Sequence, residues 1–301
     1  VAGAQKLTTN LLVAQEPFDY FEPTAAAIEE ALTLASQADK VVVALGETDW
    51  MSGEAASRSD IRLPEKQLAV VAQIIEKNPN VVVTVYSGRP LDLQGIDVAK
   101  GIVQAWQPGT EGGNALAEIL WGQYNPSGRL SMSFPETVGQ VPIFYNVDNT
   151  GRPYESAPEE KYVSKYLDVS NYAKYPFGFG LSYSHFSYQP IQLSALTFTK
   201  EQPVTVSVLV RNNSPIAGEE TVQFYVRDLV GQVVRPIKEL KDFQKVWLEP
   251  KEEKEVQFLL SEDMVCYVHS DNQVTSDAGE FIVMIGGNSR DVQTATVTLN
   301  E

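Results

Sequence analysis

The chain has one cysteine and two histidines in 301 residues, and only 23 basic residues against 39 acidic ones. A single thiol, Cys266, excludes an internal disulfide and any cysteine-built metal cage. It lies in Met264-Val265-Cys266-Tyr267-Val268, where a small buried core residue is expected rather than a nucleophile. His185 and His269 are too little material for a histidine-rich metal site or a Ser/His/Asp triad. The net charge of −16 repels phosphate backbones, and no Lys/Arg cluster offers a local exception, so nucleic acid is not an expected partner. No apolar run approaches the ~20 residues that span a bilayer, so no membrane partner is expected either. The opening Val1-Ala2-Gly3-Ala4-Gln5-Lys6 lacks the apolar core of a secretory signal. These shortages imply no metal and no cofactor, and they leave carboxylates to carry any chemistry.

What is present has the composition of a soluble globular protein, 43% apolar and 21% charged. The length is sufficient for two domains of ~100–200 residues. Ala25 to Ala38 has helical apolar spacing, and Val41-Val42-Val43-Ala44-Leu45-Gly46 is a continuous run of strand length. A helix from Leu63-Pro64 through Ile75 follows, then a strand Asn80–Tyr86, a short helix Ile96–Ala99, a strand Gly101–Trp106 and a helix Gly112–Trp121. Alternating strands and helices with unbroken apolar strands predict an α/β fold, a parallel sheet with helices on both faces. With a helix first and only three convincing strands, that sheet reads as incomplete.

After about Asn125 the pattern changes. Residues 136–187 are rich in Tyr, Pro and Gly with little periodicity, as expected of an irregular linker wrapping the domains. From about Tyr188 the alternation has period two, with strands at 204–210, 221–226, 254–260 and 279–286. Short alternating strands over this length predict an immunoglobulin- or fibronectin-like β-sandwich. The expected division is therefore 1–135 α/β domain, 136–187 linker and 188–301 β-sandwich.

The richest stretch is Gly46-Glu47-Thr48-Asp49-Trp50-Met51-Ser52-Gly53-Glu54-Ala55-Ala56-Ser57-Arg58-Ser59-Asp60, at a strand's carboxyl end. Open α/β sheets place their sites there. A carboxylic acid works as a general acid near neutral pH only when burial or a neighbouring carboxylate holds its proton, and this loop puts several carboxyls together. Ser52 and Gly53 form a turn that presents Glu54 outward. Trp50 and Met51 offer an apolar wall, either for packing or for the apolar face of a sugar ring. Arg58 and Asp60 are expected to brace the loop by a salt bridge. Other motifs are weaker. Gln107–Asn114 resembles a phosphate cradle but lacks the P-loop lysine, so its glycines read as a tight turn, with Glu111 as a helix cap or a reach into a site. Ser87-Gly88-Arg89-Pro90 ends a strand, and its serine has no histidine in evidence. Asn212-Asn213-Ser214 is formally a glycosylation acceptor.

Together, Gly46-Glu47, Met51–Ile61 with Leu63-Pro64, Ser87–Leu91, Trp106–Ala115 and Asn125–Leu130 resemble the second domain of glycoside hydrolase family 3 β-glucosidases of the bacterial periplasmic type. Tyr175-Pro176-Phe177-Gly178-Phe179-Gly180-Leu181-Ser182-Tyr183 resembles that family's link into a fibronectin type III-like domain. The resemblance implies a retaining exo-β-glucosidase, periplasmic or secreted, acting on terminal β-D-glucosyl residues. By motif position Glu54 matches the acid/base, with Glu47 as second candidate. Ser52, Trp50, Met51 and Arg58 are the expected substrate contacts and Asp60 the loop's scaffold. The family's nucleophilic aspartate belongs to a barrel domain that precedes these motifs, so the expected partners are a β-glucoside, that barrel domain and, in some form, a second copy in a homodimer. The chain alone is expected to be inactive. Two alternatives remain: a non-catalytic carbohydrate-binding or adhesion module, which would bind glycans unaided, and a β-xylosidase of the same family.

Overall fold

The computed structural model describes residues 1–14 and 23–301. The chain divides into two units, Val1–Tyr124 with Phe134–Val141, and Asn125–Ser133 with Pro142–Glu301.

The first unit runs α1 (Ala2–Gln5), α2 (Ala25–Gln37), β1 (Val41–Gly46), α3 (Glu65–Lys77), β2 (Val81–Tyr86), β3 (Gly101–Gln104) and α4 (Gly112–Leu120). The strands form a parallel sheet in the order β1-β2-β3, with Val41 opposite Val81 and Val82 opposite Gly101. Central β2 explains the β-branched run: Val81, Val83 and Val85 are fully buried, as are Val71, Leu91 and Ile96. Thr24 caps α2, its hydroxyl accepting from Ala27 N–H at 3.2 Å. Asn78, just after α3, donates to the carbonyls of Ala35 and Ala38 at 2.9 and 2.7 Å. That side chain ties the ends of both helices together just before β1 and β2 begin.

Two local expectations fail. Val42 is 46% exposed and Ala44 is also exposed, because among the described residues only the Val43/Leu45 face of β1 is covered. Ile96–Ala99 forms turns rather than a helix: Ile96 and Ala99 N–H groups bond to carbonyls three residues back. Burial of Leu93 and Ile96 and a backbone bridge between Arg62 and Asp92 hold that segment against the loop after β1.

The second unit carries β4 (Phe186–Tyr188), β5 (Gln192–Leu193), β6 (Thr197–Phe198), β7 (Val204–Asn212), β8 (Gly218–Asp228), β9 (Glu239–Leu248), β10 (Glu253–Leu260), β11 (Tyr267–Val268), β12 (Val274–Thr275), β13 (Gly279–Gly286) and β14 (Val292–Leu299). One sheet has the order β10-β7-β4 with β5 also on β7, and the other is β6-β14-β13-β8-β9. Their inward residues make one core, in which Phe224 stacks on Phe258 at 5.0 Å and Phe198 meets Phe281 edge-on at 6.1 Å. Strands β9 and β14 escape the sequence pattern. Edge strand β9 mixes charges with Phe243 and Trp247 facing out, and β14 is built from threonines. Cys266 is only half-buried; its neighbours Val265 and Tyr267 take the interior positions instead. Burial and the nearby Glu262 push its thiol pKa up. The fold is thus an α/β domain with a parallel sheet followed by a fibronectin III-like β-sandwich.

Candidate active site

The polar loop leaves β1 at Gly46, a position only glycine tolerates. Its φ is +151°, and a Cβ there would lie 1.8 Å from the Tyr86 carbonyl oxygen. Gln67 of α3 satisfies both backbone groups of Gly46, accepting from its N–H at 3.0 Å and donating to its carbonyl at 3.1 Å. The strand end is thereby fixed from the helix side, and Glu47 emerges from it with its N–H on Tyr86 O at 2.8 Å.

Glu47 turns inward. Its side chain is 1% exposed and its Oε1 lies 2.9 Å from Arg58 Nη1 and 3.0 Å from Arg89 Nε. Its Oε2 accepts from Gly88 N–H at 3.2 Å. An unpaired buried carboxylate would cost several kcal/mol, and two guanidinium groups offset that here.

Glu54 does the opposite. It is exposed and makes no hydrogen bond or ion pair among the described residues. It stands between Gly53 at φ +107° and Ala55 at φ +58°, so the chain is left-handed on both sides of it. Alanine in that region is strained by roughly 1 kcal/mol, and such strain persists only where surrounding contacts hold it. Arg89 supplies those contacts, donating from Nη2 to the carbonyls of Met51 at 2.6 Å and Ala56 at 2.7 Å. The sequence motif around Arg89 draws attention to Ser87, whose hydroxyl is instead buried, donating to Arg89 O at 2.8 Å and accepting from Gln104 at 2.9 Å.

Arg58 and Asp60 do not pair with each other. Arg58 bridges Glu47 and the Arg62 carbonyl, the latter at 2.9 Å. Asp60 takes the Arg62 guanidinium at 2.5 Å and the Arg62 N–H at 3.0 Å. Those Arg62 hydrogen bonds lower the Asp60 pKa to about 2. Two acids of this loop, Glu47 and Asp60, are therefore taken up by arginines rather than pressed against the others. Trp50 is 79% exposed and so is not a packing residue, while Met51 and Ser52 are half-buried.

Beside the loop lies an open pocket of about 150 Å³, lined by Glu47, Thr48, Asp49, Ser52, Tyr86 and Trp106 among others; Glu54 and Trp50 are not in its lining. Trp106 was expected to close a strand. Instead β3 stops at Gln104 and Trp106 has φ +53°, its ring edge-on to Phe134 at 5.7 Å. A left-handed tryptophan is a constraint that no periodicity signals. Glu111 precedes α4 without capping its backbone; its carboxylate accepts from the Asn114 side chain.

Residues 2–183 match the glycosyl hydrolase family 3 C-terminal domain, and residues 220–289 match a fibronectin type III-like domain. The chain belongs to glycoside hydrolase family 3. Among other members of the family, it is 40% identical over 275 residues to a periplasmic beta-glucosidase of Salmonella typhimurium, covering 91% of this chain and 36% of that protein. It is 34% identical to a beta-xylosidase of Formosa agariphila, covering 90% of this chain and 37% of the other. The solved beta-glucosidase of Listeria innocua in complex with isofagomine superposes with a TM-score of 0.91 at 36% identity, covering 99% of this chain and 42% of that one. The chain thus spans about a third of the length of the curated family 3 relatives it matches.

Proposed function

We propose that this chain supplies Glu54 as the acid/base of a retaining exo-β-glucosidase whose aspartate nucleophile comes from a barrel domain outside the two units described. The observation that carries the reading is the contrast between the two glutamates. Both oxygens of Glu47 are committed to Arg58, Arg89 and Gly88, and the side chain is 1% exposed, which leaves it no free oxygen to offer a leaving group. Glu54 projects from a fixed turn with its carboxyl uncommitted. In the first step the aspartate attacks the anomeric carbon while Glu54 protonates the departing glycosidic oxygen; as Glu54 is exposed in this unit, the burial or carboxylate that holds its proton has to come from the barrel domain and the bound sugar. In the second, Glu54 takes a proton from the water that displaces the enzyme-bound sugar, the two carboxyls standing ~5–5.5 Å apart. Exposed Trp50 and half-buried Met51 and Ser52 lie on the same turn and contact the sugars flanking the scissile bond. Arg58 belongs to the frame beneath them. A periplasmic location is proposed on the similarity to the Salmonella enzyme.

In the full-length enzyme, Glu54→Ala should lower kcat/KM for cellobiose by about 10²–10⁴-fold. Hydrolysis of an activated dinitrophenyl β-glucoside, whose leaving group needs no proton, should begin with an undiminished burst. Equal losses on both substrates would remove Glu54 from the role. The similarity to the Formosa beta-xylosidase favours a second reading at the level of the sugar. A higher kcat/KM on the aryl β-xyloside than on the matching glucoside would select it.

A further inference from the structure

Resting on Glu54 as the acid/base, we infer that Arg89 is the positioning residue that sets where that carboxyl stands, with Glu47 and Arg58 as its anchor. The turn that bears Glu54 has little backbone bonding of its own. Met51 N–H reaches Thr48 O at 3.0 Å, and Ala56 N–H reaches Gly53 O at 3.4 Å. The closing contact comes from another strand end: a single nitrogen, Arg89 Nη2, holds the carbonyls of Met51 and Ala56, one on each side of Glu54. Pinning both carbonyls from one point keeps Gly53 and Ala55 in left-handed conformations, with the intervening side chain exposed.

Arg89 is itself fixed from behind. Its Nε lies 3.0 Å from Glu47 Oε1, its carbonyl accepts from the Ser87 hydroxyl at 2.8 Å, and the adjoining Gly88 N–H donates to Glu47 Oε2. Arg58 shares Glu47 Oε1 and reaches the Arg62 carbonyl, fastening the far end of the same loop. One buried carboxylate therefore anchors two guanidinium groups, and both hold loop backbone with their remaining donors. The guanidinium puts Nε beside Glu47 and Nη2 on the two carbonyls at once; a single lysine ammonium would keep the charge and could not occupy both places. Arg89 is assigned no contact with a reacting atom, and it acts through Glu54.

The test uses Arg89→Lys in the full-length enzyme, with rates expressed per active site titrated by a slow 2-fluoro-glucoside inactivator, so that any misfolded fraction drops out. Because misplacing a catalytic group by an ångström costs about 10²-fold, kcat/KM for cellobiose should fall by about 10–100-fold. That for dinitrophenyl β-glucoside should fall by less than about threefold. Added to Glu54→Ala, Arg89→Lys should change the cellobiose rate by no more than about twofold, because the two act as one unit. Equal losses on both substrates, or a full further loss in the Glu54→Ala background, would reduce Arg89 to a merely structural residue. If Glu54→Ala shows the leaving-group dependence and Arg89→Lys does not, only the positioning role falls. If Glu54→Ala itself lacks that dependence, both readings fall.

Discussion

Each unit buries a carboxylate against arginine, and only one of the two sits in a candidate site. In the second unit Glu220 is 3% exposed, with Arg129 at 2.6 Å and the Tyr188 hydroxyl donating at 2.7 Å. Burial raises the Glu220 carboxyl pKa in spite of Arg129, and the same burial together with Glu220 raises the Tyr188 phenol well up. In the first unit Glu47 is equally enclosed, but Arg58 and Arg89 reach past it to loop carbonyls. Around Glu220 the network closes on itself and seals a sandwich. Around Glu47 it opens outward and holds a turn carrying an uncommitted acid. A buried ion pair is thus no signature of a site; what its spare donors grip is the informative feature.

The sharpest way to break the comparison is to remove one acid from each region. Glu54→Ala should abolish most turnover of poor leaving groups while shifting the unfolding free energy by no more than about 0.5 kcal/mol, as for an exposed side chain. Glu220→Ala should do the reverse. Stranding Arg129 in the interior should cost about 3–5 kcal/mol in urea denaturation, with the leaving-group dependence of kcat/KM unchanged. Loss of that dependence in Glu220→Ala would place both carboxylates in one functional network.

A smaller effect is expected at the strand end that launches the loop. Gly46→Ala forces a Cβ onto the Tyr86 carbonyl at a φ of +151°, so it should destabilise by more than about 1 kcal/mol. It should also lower cellobiose turnover by displacing Glu47 and its arginines. The least effect belongs to the exposed Asp60–Arg62 pair. The folded Asp60 pKa of about 2 lies below the ordinary 3.8, so its contribution is present above pH 3.8 and is lost as pH falls through 2. NMR titration should find Asp60 near 2 and, in Arg62→Ala, close to its ordinary value. A wild-type value near 3.8 would show the pair to be open in solution.

Much of the fold is legible in the residues. Strands β2, β7, β10 and β13 announce themselves as apolar or alternating runs because their inward side chains face a core, and β1 does so although one of its faces is exposed. β9 and β14 do not, since an edge strand of alternating charge and a threonine ladder draw stability from backbone pairing that no hydropathy pattern records. The site divides along the same line. That loop 46–60 gathers acids at a strand end is written in the sequence, and so is the family motif around Glu54. The contacts of Arg89 and the left-handed backbone of Trp106 are not, because each depends on where a strand end lands beside another. The pairing of Arg58 with Glu47 instead of Asp60 is of the same kind: chain proximity suggests the nearer acid, while burial of Glu47 demands the cation.

Azide rescue tests the central claim, that Glu54 is the working acid and Glu47 its buried anchor. In the full-length Glu54→Ala enzyme turning over dinitrophenyl β-glucoside, azide should accelerate steady-state turnover and leave β-glucosyl azide as product, since a small anion fills the space of the lost carboxylate and needs no base. Glu47→Ala should show no such rescue. Azide acceleration in Glu47→Ala together with none in Glu54→Ala would contradict the account and exchange the two roles.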